Sequence, residues 1–340
     1  MQGQKEKNKK LPSFEEIFSR ENVFLAWHNF ARGKKYKEDV AEFAVDLVHN
    51  LSSLRNDLIS GKYSHGGYRH FKISDPKPRD IHKAEVRDRV VHHVLYNTLY
   101  PYFDRKFIFD SYSCRRNKGT HKALKRFQEF TRKESGIYRK RIWILKCDIK
   151  KCFASVDHQI LKSILRREIT CEKTMAIIDS IIDSFYSGEA GLGIPLGNLT
   201  SQLFVNIYLH EFDQYMKRKL KVKKYIRYAD DFVIISDNRD FLLSLIPQIG
   251  EFLKKRLHFE LHDKKISLKA FSAGIDFLGW VHFPRYSVLR TVTKKRMFRN
   301  LKNSRNNSAF PSHLDSYFGL LKYGNAWYLE TEIMALYDNK

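Results

Sequence analysis

The stretch Val222-Lys-Lys-Tyr-Ile-Arg-Tyr228-Ala-Asp230-Asp231-Phe-Val-Ile-Ile-Ser236 decides the fold. Two β-prone runs, Val222 to Tyr228 and Phe232 to Ser236, flank a short polar break. That pattern predicts a hairpin with Asp230 and Asp231 together at an exposed turn. Crowding carboxylates there is costly, because like charges within a few ångströms raise each other's pKa unless a cation holds them. Hard oxygen ligands at that density suit Mg²⁺. The pair alone leaves two readings open, a cation site for phosphate chemistry and ordinary turn chemistry, since Asp favours turns.

Outward from the hairpin, Ile142-Trp-Ile-Leu145 is an apolar run ending in Lys146-Cys147-Asp148, as in a buried central strand with an acid at its C-terminal end. Asp148 precedes Asp230 by 82 residues. Strands lying side by side would bring three carboxylates around one or two metal ions, and two metals about 4 Å apart can drive an in-line displacement at phosphorus. Asp157 reads as the N-cap of a helix burying Ile160, Leu161, Ile164 and Leu165. A Gly/Pro-rich turn from Gly188 through Pro195 and Gly197 leads into a helix from about Thr200 to Leu220. Upstream, Val40, Ala44, Leu47, Leu51, Leu54 and Leu58 predict one amphipathic helix ending before Gly61. From Tyr63 to Arg89, short strands and loops are expected to present Arg69, Lys72, Lys77, Arg79, Arg87 and Arg89. Strands and helices interleaved with hairpins argue for an α+β fold with helices on one face of a sheet.

The 340 residues suffice for a sizeable core in two or three subdomains. Sixty-two Lys and Arg stand against 38 Asp and Glu, a net charge of +24, with a pI near 9.7. An excess that large, spread along the chain, is the footprint of a polyanion partner such as nucleic acid. Cys114, Cys147, Cys152 and Cys171 show neither CxxC spacing nor flanking His pairs, so neither zinc nor a disulfide framework is expected. Residues 1–12 are basic and polar, expected to order only on a partner, and no apolar segment of signal or membrane-span type follows. A cytoplasmic protein without a membrane span is the expectation.

Six stretches, in order, resemble the conserved blocks of the reverse transcriptases. Asp110-Ser-Tyr-Ser-Cys-Arg-Arg-Asn-Lys-Gly-Thr120 is similar to the second block, Asp148-Ile-Lys-Lys-Cys-Phe153 to the third and Gly193-Ile-Pro-Leu-Gly-Asn198 to the fourth. Tyr228-Ala-Asp-Asp231 is similar to the fifth, Leu261 to Lys265 to the sixth and Phe277-Leu-Gly-Trp280 to the seventh. The resemblance covers about residues 65–282. It implies a right-hand polymerase with fingers, a palm of antiparallel sheet packed on helices, and a short helical thumb. On this chain that means a basic tail and helical extension at 1–62, mainly fingers at 63–140, mainly palm with interleaved fingers segments at 141–284, and thumb at 285–340. Asp148, Asp230 and Asp231 would be the catalytic acids and, with Ile149, would hold two Mg²⁺ ions, for which Mn²⁺ is an expected substitute. Phe153 would be the steric gate beside the sugar, excluding a 2′-hydroxyl. Arg79, assisted by Lys77, would take the triphosphate through its guanidinium fork. Leu196, Gly197 and Gln202 would line the nucleotide pocket. Lys265, with Lys264 as rival, would protonate the leaving pyrophosphate. Arg115, Arg116 and Lys118 would steer phosphates, and Lys294, Arg296 and Arg299 would track an A-form hybrid.

At position 196 the chain departs from the usual Pro-Gln-Gly of the fourth block, with Pro195-Leu196-Gly197 followed by Asn198-Leu-Thr-Ser201-Gln202. Together with Phe109-Asp-Ser-Tyr-Ser-Cys-Arg and Lys118-Gly-Thr-His-Lys-Ala123, this looks most like the reverse transcriptases of diversity-generating retroelements. Such enzymes copy a template-repeat RNA into cDNA with errors at adenines, for replacement of a variable region in a target gene, and work with a small basic accessory protein. The implied partners are therefore the RNA template and RNA/DNA hybrid, dNTPs and that accessory protein, in a bacterial, archaeal or phage-encoded setting. After the seventh block about 58 residues follow, an expectation of a short thumb without a maturase–nuclease extension or RNase H. The rivals are a stand-alone enzyme of retron-like or phage-defence type, a two-metal nuclease, and a catalytically inactive RNA-binding scaffold. The nuclease has no use for Phe153 or Arg79, and three unpaired acids would only weaken a scaffold's grip on a polyanion.

Overall fold

The structure, a computed structural model, describes residues 10–74, 78–305, 307 and 310–338. Lys77 and most of the basic N-terminal segment lie outside the described residues. The chain forms two compact units, each assembled from separated segments: one from the residues up to Phe109, Ile149–Lys221 and Gly250–Glu260, the other from Asp110–Asp148, Val222–Ile249 and Leu261 onward. No described helix is long and apolar enough to cross a membrane.

The second of these units carries the acidic hairpin. Strand Trp143–Asp148 lies between Asp231–Ser236 and Ser267–Ala270, with Tyr225–Tyr228 outermost, all antiparallel. Ile144, Leu145 and Cys147 on the first strand and Phe232 to Ile235 on the second are buried, so the sheet is covered on both faces at its centre. Helix Thr120–Glu134 buries Ala123, Leu124, Phe127 and Phe130 at helical spacing in this unit's core, and the Phe127 ring lies 5.4 Å from that of Phe277. Phe277 belongs to a three-stranded sheet of Ile275–Phe277, Trp280–His282 and Ser287–Leu289. Helices Thr291–Ser304, Phe310–Leu321 and Trp327–Asp338 follow.

The hairpin forms as expected in kind but is tighter, so the two acids differ. Tyr228 pairs directly with Asp231, leaving Ala229 and Asp230 as the two-residue turn. Asp231 is therefore a strand residue whose side chain is only 22% exposed, not a member of an exposed turn. The correction follows from two-residue hairpin geometry, which needs positive φ: Ala229 takes φ 54, and Arg227 Nη1 donates to its carbonyl at 3.1 Å.

Trp280 is fully buried, and a Cβ placed on Gly324 would overlap its six-membered ring at Cζ3. A rigid ring inside a filled core cannot retreat. Gly324→Ala is expected to destabilise by about 3 kcal/mol, read as a lower urea midpoint with an unchanged slope.

In the first unit, helix Val86–Asp104 buries Val90, Val94, Leu95, Leu99 and Phe103 and packs against helices Arg20–Ala31 and Leu199–Gln214. Arg87 and Arg89, expected among loops, ride on this helix, because Val86, Val90 and Val94 repeat at helical spacing; their guanidinium groups pair with Asp57 and Asp39. The single helix expected from Val40 to Leu58 is two, Glu38–Val45 and Leu47–Ser60. Asp46 breaks it at φ −120, ψ 55; Asp is a weak helix former, and the break turns Val45 outward, 89% exposed. Gly61 ends the second helix in the left-handed conformation, as its position predicted. Asp157 caps His158–Arg166, its Oδ1 accepting from Ile160 N at 3.0 Å. The helix expected to run to Leu220 is α-helical only over Leu199–Gln214 and passes into a π turn, Tyr215–Lys219.

Candidate active site

The strand register sets Asp148 opposite Asp231, and Asp230 precedes Asp231 in the turn. Directly paired residues of antiparallel strands point to the same face with their Cβ atoms about 5 Å apart. Two acids far apart in sequence thus share one edge of the sheet for a purely topological reason. Burial pushes the Asp231 carboxyl up to about 6, with Asp148 and Asp230 adding to the rise and Lys146 opposing it. The same negative field, after burial, helps push the Cys147 thiol up to about 12.

Two lysines stand against these acids. Lys265 Nζ lies 2.7 Å from Asp148 Oδ1. Lys146 Nζ lies 3.4 Å from Asp231 Oδ2 and donates to the Asp276 carbonyl at 2.8 Å. Lys265 is held in a short turn, Asp263–Lys265, tied to the strand by His262 N donating to Asp148 O at 2.8 Å. Lys264 is exposed beside it and makes no such contact. Among the described residues no three His, Cys, Asp or Glu side chains converge as a metal cage. The donor chemistry nevertheless fits a hard cation: acceptor-only carboxylates, with Asp148 and Asp230 close enough to help raise the Asp231 carboxyl, and Asp231 Oδ1 buried and without a hydrogen-bond partner.

The residues expected to line the nucleotide pocket belong to the first unit, as does Ile149. Ile149, immediately after Asp148, is buried. Phe153 is half-buried in the 3₁₀ turn Cys152–Ser155, and its carbonyl accepts from Ile194 N at 2.9 Å. Gly193 N donates to Val156 O at 2.8 Å, so the third and fourth blocks are joined by main-chain bonds. The fourth block also reaches the hairpin of Tyr68–Ile73 and Arg79–Ala84: His82 N donates to Leu196 O at 3.1 Å. Asn198 grips the same strand, its Nδ2 donating to His82 O at 2.8 Å and its Oδ1 accepting from Ala84 N at 3.4 Å. Gly197 has φ 114, and a Cβ there would sit 2.8 Å from Ile81 Cγ2, so only glycine allows the approach. Leu196 and Gln202 are half-buried, and Arg79 is exposed at the start of its strand.

Arg115 is turned back on its own loop, Nη1 donating to Ser111 O at 3.0 Å, and Lys118 Nζ sits 5.0 Å from the Tyr112 ring centroid; Arg116 is exposed nearby. Lys294, Arg296 and Arg299 lie on helix Thr291–Ser304, with Lys294 3.3 Å from Glu332. Lys146, Asn198 and Thr120 were not singled out in the sequence. Lys146 had a signal, a lone cation two residues before Asp148 in an apolar run. Thr120 Oγ1 donates to the Tyr228 hydroxyl at 3.0 Å, a contact of residues 108 apart that no local pattern announces.

The family model described as reverse transcriptase (RNA-dependent DNA polymerase) matches residues 73–282, more than half of the chain. The chain belongs to the reverse transcriptase family. This reverse transcriptase is 27% identical over 273 residues to Protein YkfC of Escherichia coli (strain K12), covering 68% of this chain and 71% of YkfC. Over 304 residues it is 24% identical to the group II intron-encoded protein LtrA of Lactococcus lactis subsp. cremoris, covering 70% of this chain but 49% of LtrA. Among solved structures it is similar to apo telomerase from Candida tropicalis, with a TM-score of 0.51 at 14% identity, over 75% of this chain and 56% of that one. That likeness is one of fold alone. The fold is α+β, with the antiparallel sheet and packed helices of right-hand polymerases.

Proposed function

We propose that this reverse transcriptase copies a template-repeat RNA into cDNA with low fidelity at adenines, for mutagenic retrohoming into a target gene. The observation that carries the polymerase chemistry is the register of Asp148 against Asp231, with Asp230 beside them. Asp148, Asp230 and Asp231, with the main chain of Ile149, would hold two Mg²⁺ ions; when bound, these supply charge neutralisation and Lewis acidity at the reacting phosphate. Lys265 sits within hydrogen-bond reach of Asp148, on a turn from which its ammonium can deliver a proton to the departing pyrophosphate. Phe153, held by Ile194, supplies the wall against a ribose 2′-hydroxyl, and Arg79 with Lys77 takes the triphosphate. Residues 63–140 would act mainly as fingers, 141–284 mainly as palm and 285–340 as thumb. The thumb helix with Lys294, Arg296 and Arg299 would follow the hybrid's phosphates, and Arg115, Arg116 and Lys118 the template. A small basic accessory protein would complete the assembly.

Leu196 supports the low-fidelity subtype. Its main chain is fixed by His82, so its side chain cannot escape by moving the loop, and where relatives carry a long amide it offers only apolar contact. A missing hydrogen bond to the nascent pair is worth about 1 kcal/mol, close to a tenfold change in discrimination. Primer extension on an RNA template with each dNTP and Mg²⁺, read by sequencing, is expected to show misincorporation concentrated at template adenines. Leu196→Gln is expected to lower that frequency about tenfold. An unchanged error spectrum would sink the role of Leu196. The match to YkfC, a bacterial protein covered over 71% of its length, favours a second reading, a stand-alone bacterial reverse transcriptase of retron-like or phage-defence type. Errors spread evenly over the four template bases would select it.

A further inference from the structure

Arg227 is fully buried on strand Tyr225–Tyr228, next to the fully buried Ile226. Its main chain is pinned on both sides. Toward the hairpin it pairs with Phe232. On the outer side its N donates to Asp110 O at 2.9 Å, its O accepts from Tyr112 N at 2.9 Å, and Ser111 forms a parallel bridge to it. Asp110 is held in turn, its buried carboxylate accepting from Arg126 Nε at 2.8 Å and from the Tyr112 hydroxyl at 3.2 Å. The outermost strand of the four-stranded sheet, an edge that would otherwise be open to fraying, is thus clamped by the second block.

From that fixed backbone the guanidinium reaches the turn. Its Nη1 donates to Ala229 O at 3.1 Å, and a side chain without exposed surface cannot swing away to water. The accepting carbonyl belongs to the planar peptide that joins Ala229 to Asp230, so holding its plane sets the direction in which the Asp230 side chain leaves the backbone. Ala229 needs such a hold. It takes φ 54 at the first position of a two-residue turn, where glycine is favoured and an L side chain crowds the following carbonyl. An apolar side chain could fill the volume of Arg227, but none could donate to this carbonyl. We propose that Arg227 is a positioning residue for the polymerase reaction: it holds the Ala229–Asp230 peptide in its turn and so aims the Asp230 carboxylate toward Asp148 and Asp231. The proposal rests on the polymerase reading above and deepens it by naming what sets the direction of one acid.

The test compares R227M, which keeps the volume and removes the donors, with R227K, which keeps a charged donor, and with R227M/A229G. Amide hydrogen exchange of the metal-free full chain is followed through the hairpin, with single-nucleotide primer extension measured in parallel. R227M is expected to exchange the Ala229 and Asp230 amides about tenfold faster while strand Asp231–Ser236 keeps its protection. Its kcat is expected to fall about a hundredfold, the cost of a displacement of about 1 Å, with the KM for the dNTP within about threefold. R227K is expected to lose about tenfold. Glycine adopts the left-handed conformation freely, so R227M/A229G is expected to regain about tenfold in kcat. A packing role is indifferent to the residue at 229, so no regain on adding A229G would overturn the proposal. Unchanged exchange at the turn in R227M would overturn it too, as would a rise in KM with kcat intact. If R227M does not fold, R227K and R227K/A229G make the same comparison, and loss without regain there counts equally against it. Failure of the unmodified chain to extend any primer would sink the polymerase reading, whereas the exchange measurement tests the hold on the turn without it.

Discussion

Replacing Asp231 by Asn is expected to lower primer extension by about a thousandfold or more, close to 4 kcal/mol of barrier, while the metal-free protein melts no earlier than the unmodified chain. The two halves of that expectation have one cause. Asp231 Oδ1 is buried without a hydrogen-bond partner, and burial together with Asp148 and Asp230 pushes the carboxyl up to about 6. An ionised group in that position costs folding free energy, and a neutral amide of the same shape removes the cost. Lys146 keeps its bond to the Asp276 carbonyl when the carboxylate is gone, so the substitution does not strand a second charge. Asp230→Asn should abolish extension equally but without the same relief, because Asp230 lies in the two-residue turn and not in the covered strand. Extension within about tenfold of the unmodified enzyme for Asp231→Asn would refute the assignment, since a tenfold loss is only about 1.4 kcal/mol. A marked fall in the melting midpoint would refute the account of the buried oxygen.

The hairpin itself was legible because its two β-prone runs and polar break are local, and so was the capping of His158–Arg166 by Asp157. What was not legible depends on contacts distant in the chain. Asp231 is a strand residue by its local pairing with Tyr228, but that it is covered follows from its pairing with Asp148, and no window around Tyr228 contains that second pairing. The split of the Val40–Leu58 helix turns on Asp46 alone, against an apolar repeat that continues through it. The division into units that each gather separated segments is set by such long-range bonds as Arg227 N to Asp110 O at 2.9 Å and Lys150 N to Glu260 O at 2.9 Å. Periodicity reports which face is buried, not which distant strand buries it. The role residues fared according to the same rule. Asp148, Phe153 and Leu196 stood in ordered motifs, whereas Asn198's grip on His82 and Ala84 needs the hairpin to be folded before it exists.

The second large effect is expected at Phe153, where truncation to Ala should reduce the preference for a deoxynucleotide over the matching ribonucleotide roughly a hundredfold. Position is what would make the ring a wall. Phe153 lies in a 3₁₀ turn that Lys151 enters at φ 48, and its carbonyl accepts from Ile194 N at 2.9 Å while Gly193 N holds Val156 at 2.8 Å. These bonds belong to the main chain, so removal of the ring leaves the turn and the neighbouring Leu196 in place. The side chain is half-buried, and losing it should cost about 1 to 2 kcal/mol of stability, too little to unfold the unit. Selectivity read as the ratio of kcat/KM for a dNTP and its rNTP separates the wall from a general defect: a wall changes the rNTP value, whereas a loosened fold lowers both. If the ratio stays where it was while both values fall, Phe153 is a packing residue and the gate lies elsewhere in the first unit. If the rNTP value rises and the dNTP value holds, the aromatic ring five residues after Asp148 is what commits this polymerase to DNA.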